Sequence, residues 1–234
     1  MTGDFEAYLG PEGNVADLLK LEDDAGIEKV VLMPQIETRP PNDLVVQASK
    51  ESERIIPCAC VNPNFGQEAY DEFERLVRDH GMMGLKLMSP RHGYVISSRI
   101  CDPLMETAGD LDIPVTVHSQ GTPAHPLEIA ELAGRHPNVL IIMDHMGHRY
   151  WVEQALQAAA LRDNIFLGTT IASFEPGIIV RAVAEVGAER VVFGSNAPSA
   201  YPDLAVASIQ RAGLGDRALG LVLGENLARI YGLD

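Results

Sequence analysis

The sequence predicts a (β/α)8 barrel of parallel strands whose first strand is missing. Three observations point there. From about residue 14 onward, short β-branched runs alternate with helix-period stretches, the pattern of βαβ units covered on both faces. Polar residues (Lys86, His118, His145 and Asn196) stand at or near the C-terminal ends of four of those runs, where a barrel mouth collects its functional groups. No GxGxxG turn or Walker-type loop is present, which disfavours the competing doubly wound sheet.

Residues 1–13 contain Gly3, Gly10, Pro11 and Gly13, breakers that read as an irregular segment. Residues 14–234 then form a single barrel domain. Val15 to Ala25 has apolar residues at 15, 18, 19, 21 and 25, an amphipathic helix that Gly26 closes. Glu28–Met33 is the first predicted strand, stopped by Pro34, and Ile55–Val61 is the next. A helix over Gln67–His80 leads to strands at Met83–Ser89, Pro114–Gln120, Val139–His145, Ile165–Thr170 and Val191–Ala197. Helices over Leu127–Arg135, Val152–Leu161 and Gly177–Val186 separate the later ones.

Residues two apart on a strand share a face. Gly84 therefore pairs with Lys86, Thr116 with His118, Met143 with His145, and Gly194 with Asn196. The same parity turns Asp144 towards the helices, as a helix cap.

Composition excludes several classes. A formal charge of −15 is incompatible with the basic stripe of a nucleic-acid surface. With 46% hydrophobic residues the chain can bury a sizeable core. The odd set Cys58, Cys60 and Cys101 has no CxxC pair, which suits a reducing compartment. No run approaches a membrane span, and the acidic start lacks a secretory leader. The expectation is a cytoplasmic protein with a small-molecule substrate and neither nucleic-acid nor membrane partners.

Lys86 is costly in a buried strand unless it is paired or used; a substrate carboxylate or an acidic side chain elsewhere in the chain would satisfy it. His118 reads equally well as a core histidine held by a carbonyl and as a mouth residue. Arg91 and Arg149, just beyond strand ends, are candidates for binding a substrate carboxylate. No GxSxG, HExxH or Cys–His zinc spacing occurs.

Gly84-Leu85-Lys86-Leu87, Pro114-Val115-Thr116-Val117-His118-Ser119, Asp144-His145-Met146-Gly147, Val192-Phe193-Gly194-Ser195-Asn196-Ala197-Pro198 and Glu225-Asn226-Leu227-Ala228-Arg229-Ile230-Tyr231-Gly232-Leu233 follow one another in an order that resembles the amidohydrolase-related family. That family belongs to the amidohydrolase superfamily of metal-dependent hydrolases and nonoxidative decarboxylases. The resemblance implies hydrolysis or decarboxylation of a small carboxylated ring. It makes His118 a metal ligand and His145 a metal- or substrate-binding residue, and it sets Asn196 where the family has a catalytic aspartate. It also implies a divalent metal, zinc foremost, expected here to be weak or absent because no His-x-His pair is found. A metal-independent lactonase using Lys86 and His145, and an inactive binding or assembly protein, are the alternatives. With a strand missing, the strands flanking the gap would have open edges, and homo-oligomerisation or cover by residues 1–13 is expected.

Overall fold

A computed structural model describes residues 1–10 and 12–233. Eight parallel strands run in sequence order: β1 Gly3–Leu9, β2 Lys29–Pro34, β3 Ile55–Cys60, β4 Gly84–Leu87, β5 Val115–Val117, β6 Ile141–Met143, β7 Ile165–Gly168 and β8 Val191–Val192. The predicted helices are present, among them α1, Val15–Asp24, with Asn14 capping the Asp17 amide. Among the described residues, no helix is long and apolar enough to cross a membrane.

The first strand is present, which corrects the expectation of a missing strand and of an irregular segment over 1–13. Gly3 to Leu9 pairs with β2. It also closes the barrel against the chain following β8: Phe5 N–H donates to Phe193 O at 3.1 Å, Asn196 N–H to Glu6 O at 3.0 Å, and Tyr8 N–H to Ala197 O at 2.8 Å. The open-edge argument for association therefore falls. This strand escapes an apolar-run search because Asp4, Glu6 and Tyr8 are polar. A register shift between Asp4 and Ala7 also breaks its alternation.

Strand register fixes which side chains point inward. Lys86 aligns with Thr116, and Thr116 with Ile142. Ile142 aligns in turn with Phe166. Ile142 and Phe166 pack with Phe5, Val31, Met33, Ile56, Cys58 and Val192 inside the barrel, closed below by Leu227 and Tyr231 of the C-terminal helix Asn226–Tyr231. Leu85, Val115, Ile141, Met143 and Leu167 face outward into the layer shared with the helices. Phe5 crosses the interior where Gly168 of β7 and Gly194, just beyond β8, lack side chains. A Cβ on Gly168 would lie 2.3 Å from Phe5 Cζ, and one on Gly194 would lie 2.5 Å from Cε1.

Asp144 thus shares the inward face of Ile142, and its assignment to the helix side is corrected. The reason is that β6 ends at Met143. His145 (φ 59°) and Met146 (φ 49°) then take left-handed backbone, so strand parity does not extend to His145. The turn, not alternation, swings its imidazole over the mouth.

Candidate active site

Lys86 lies at the centre of the site with no exposed surface. Its Nζ donates to Glu6 Oε1 at 2.7 Å and also contacts Asp144 Oδ2; both carboxylates are equally buried. The acidic side chain that Lys86 required is therefore two, from β1 and from the end of β6. Tyr8 O–H donates to the same Glu6 oxygen. Burial, then the Glu6 charge, holds the Tyr8 phenol well above its ordinary pKa, so it stays a neutral donor.

Asp144 also pairs with both mouth histidines, through Oδ1 with His145 Nδ1 at 2.8 Å and through Oδ2 with His118 Nδ1 at 3.7 Å. The two rings meet edge to face with centroids 4.8 Å apart. Thr170 Oγ lies 2.6 Å from His145 Nδ1 and accepts the His145 backbone N–H at 2.9 Å. The Ser119 hydroxyl locks the turn by donating to Asp144 O and accepting Gly147 N–H at 2.7 Å. Burial by itself would lower the His145 pKa, but the Asp144 and Glu6 charges raise it above the ordinary value. Burial likewise opposes ionisation of Asp144, yet His145 and Lys86 hold it well below the carboxylate range. The imidazole thus lies against a carboxylate that favours its protonated form.

Above this floor lies a cavity of about 360 Å³ lined by Tyr8, Gln35, Ile36, Met88, His118, His145, Asn196 and Ser199, among others. Asn196 reaches it in a left-handed conformation (φ 65°), which asparagine tolerates better than most residues. Lys86, His118, His145 and Asn196 are thus gathered at one end of the barrel. Arg91 is exposed in the helical turn Ser89–His92 and lines an outer recess that shares Gln35 and Ile36 with the cavity. Arg149 does not line it and pairs with Glu175 at 3.2 Å. A recess of about 440 Å³ on the barrel flank has its guanidiniums committed to carboxylates, Arg39 to Glu68 and Arg75 to Glu72, so the smaller central cavity is the chemically equipped one.

Sequence reasoning missed Glu6, Tyr8 and Asp144. The signal for the first two was the spacing Asp4-x-Glu6-x-Tyr8, polar residues at the period of a strand.

His118, Asp144 and His145 form, among the described residues, one cluster that offers three ligand atoms within 4.8 Å of one another. Their spacing admits an ion, and His118 Nδ1 has no hydrogen-bond partner. The Lys86 ammonium already engages Asp144, so a dication sharing that carboxylate would compete with it and be repelled by it. His118, Asp144 and His145 are the residues that could hold a divalent ion, in competition with Lys86.

A parallel barrel with its ionisable residues at the C-terminal mouth defines the architecture of a barrel enzyme. The family model described as amidohydrolase matches residues 7–233, and the chain belongs to that family. Solved structures agree on the fold. A TIM-barrel protein from Bordetella bronchiseptica is 17% identical, with TM-score 0.84 and 99% of each chain covered. A 2,6-dihydroxybenzoate decarboxylase from Rhizobium is 19% identical, with TM-score 0.78, covering 100% of this chain and 99% of its own. A dihydroxybenzoic acid decarboxylase from Polaromonas, with bound manganese and an inhibitor, is 18% identical, with TM-score 0.76, covering 99% and 97%. Among curated proteins, none matches the sequence significantly.

Proposed function

We propose that the chain is a nonoxidative decarboxylase of a small carboxylated ring, with His145 as the proton donor. The observation that carries this reading is the His145–Asp144 ion pair at the cavity floor, 2.8 Å apart. Removing CO2 from a ring without oxidation needs an acid: a proton adds to the carbon bearing the carboxylate, and the electrons of the C–C bond return to the ring as CO2 leaves. An imidazolium backed by a buried carboxylate and steered by Thr170 supplies that proton. Its neutral form regains a proton from solvent through the open cavity. Asp144 orients the ring, Lys86 holds Asp144 and Glu6 in place, and Tyr8 and Asn196 are neutral groups placed to hydrogen-bond the substrate's oxygens. Arg91 stands where it meets an anionic group outside the cavity. The printed substrates of two structural neighbours, 2,6-dihydroxybenzoate and 5-carboxyvanillate, are of this class.

Hydrolysis of a carboxylated lactone is the second reading, favoured by His118. Its Nδ1 faces Asp144 Oδ2 at 3.7 Å, which leaves Nε2, beside Gln120 Oε1 at 3.1 Å, as the nitrogen that could take a proton from water.

One assay separates the two. Purified protein is incubated with hydroxylated benzoates and with carboxylated lactones, following released CO2 and ring-opened acid, with His145→Gln alongside. CO2 release that His145→Gln abolishes is expected. Turnover of lactones alone would replace the first reading with the second, and activity on neither panel would sink both.

A further inference from the structure

We propose that Lys86 is the resident cation of this site, built into the chain in place of a metal ion. The argument rests on where charge is fixed. Glu6 and Asp144 come from opposite parts of the sequence and have no exposed surface. Two such carboxylates need a cation between them, and the Lys86 ammonium touches both.

The surrounding residues fit that arrangement. Glu6 occupies an inward β1 position but turns its oxygen to Lys86 and Tyr8, not to the cavity. Tyr8, two residues on, is a neutral phenol and a poor ligand. Asn196 lines the cavity without charge. An aspartate there would add a third carboxylate beside Glu6 and Asp144. A dication would have to displace the Lys86 ammonium from Asp144 or face it across that carboxylate. Glu6, Tyr8, Lys86 and Asn196 form one set, in which the ammonium occupies the place between the two carboxylates. Lys86 contacts neither the cavity nor a substrate, so it acts as a positioning residue: it holds Asp144, and through Asp144 it holds His145.

This inference uses the geometry of the proposed active site but not the reaction assigned to it. Its test is metal content and affinity, which stand whatever the substrate proves to be. Wild type, Lys86→Met/Glu6→Gln and Lys86→Met/Glu6→Gln/Asn196→Asp are produced in zinc- and manganese-supplemented medium. Each is checked for native circular dichroism, analysed for bound metal, then titrated calorimetrically with zinc and with manganese. Because Lys86→Met alone takes the ammonium from two buried carboxylates, the Glu6→Gln change is included to leave Asp144 the only one.

Wild type is expected to carry sub-stoichiometric metal, and the double variant to bind zinc roughly a hundred-fold more tightly. The triple variant should bind more tightly still. One metal per wild-type chain that disappears in His118→Ala would overturn the proposal. So would folded variants with wild-type metal affinity, because something other than Lys86 would then be excluding the ion.

Discussion

Replacing Glu22 with glutamine will flatten the pH dependence of stability. Glu22 lies on α1 facing Asp4 of β1; both are fully buried. Neither Glu22 oxygen has a hydrogen-bond partner, nor does Asp4 Oδ2. Arg54, the nearest guanidinium, is committed to Asp23 at 2.6 Å and to Ile27 O at 2.7 Å. Burial, and then the Asp4 charge, pushes Glu22 from 4.5 up to about 9. Burial likewise moves Asp4 to about 7, against hydrogen bonds from Ser195 and Glu6.

The sign follows from linkage. Above pH 4.5 the unfolded chain has lost the Glu22 proton while the folded chain keeps it until about pH 9, so stability falls as pH rises through that window. One proton's difference is worth about 1.4 kcal/mol per pH unit, or about 3 kcal/mol between roughly pH 6 and pH 8. Glutamine has the shape of the protonated acid and no proton to lose, so at low pH the variant should lie within about 1 kcal/mol of wild type. Groups that do not interact with Glu22 contribute to both proteins and cancel in the difference, and below about pH 9 Glu22 is neutral in the fold as glutamine is, so Asp4 meets an uncharged neighbour in both. Urea unfolding at several pH values measures it. Parallel stability–pH lines for the two proteins would refute the reasoning, since Glu22 would then ionise freely in the fold.

Other consequences are more local. Lys86→Met should cost about 3–5 kcal/mol in urea unfolding by taking the ammonium from between two buried carboxylates; a loss under about 1 kcal/mol would mean that the histidines and Tyr8 satisfy them without it. Gly168→Ala forces its methyl group against Phe5 and should lower stability by about 1–3 kcal/mol, read as a fall in the thermal midpoint. His145→Gln should keep native circular dichroism while reducing kcat by roughly 10²–10⁴-fold. Once a substrate is in hand, Arg91→Gln should raise KM several-fold and Arg149→Gln should leave it unchanged, because Arg149 is already paired with Glu175.

Much of the fold was legible because burial on both faces writes itself into composition. β2 to β8 are apolar runs, and the helix over Gln67–His80 coincides with its predicted span. β1 was not legible, because its polar side chains are satisfied by residues remote in sequence: Glu6 by Lys86, and Asp4 by the Ser195 amide at 2.9 Å. The candidate site divides along the same line. His118, Asn196 and Lys86 announced themselves as polar groups ending apolar strands. Asp144 was turned the wrong way because alternation was carried past Met143, where the strand had already ended.

The sequence by itself determined the class of fold, the resemblance to the amidohydrolase family, and the identity of the polar residues at four strand ends. These follow from local periodicity and local spacing. Only the tertiary structure decided what those residues mean together. Barrel closure brings Glu6 and Asp144 to Lys86 across 80 and 58 residues of chain, and such pairing leaves no periodic trace. Once paired in the buried interior, the charges determine one another's state, and with it the case for an internal ammonium at this site.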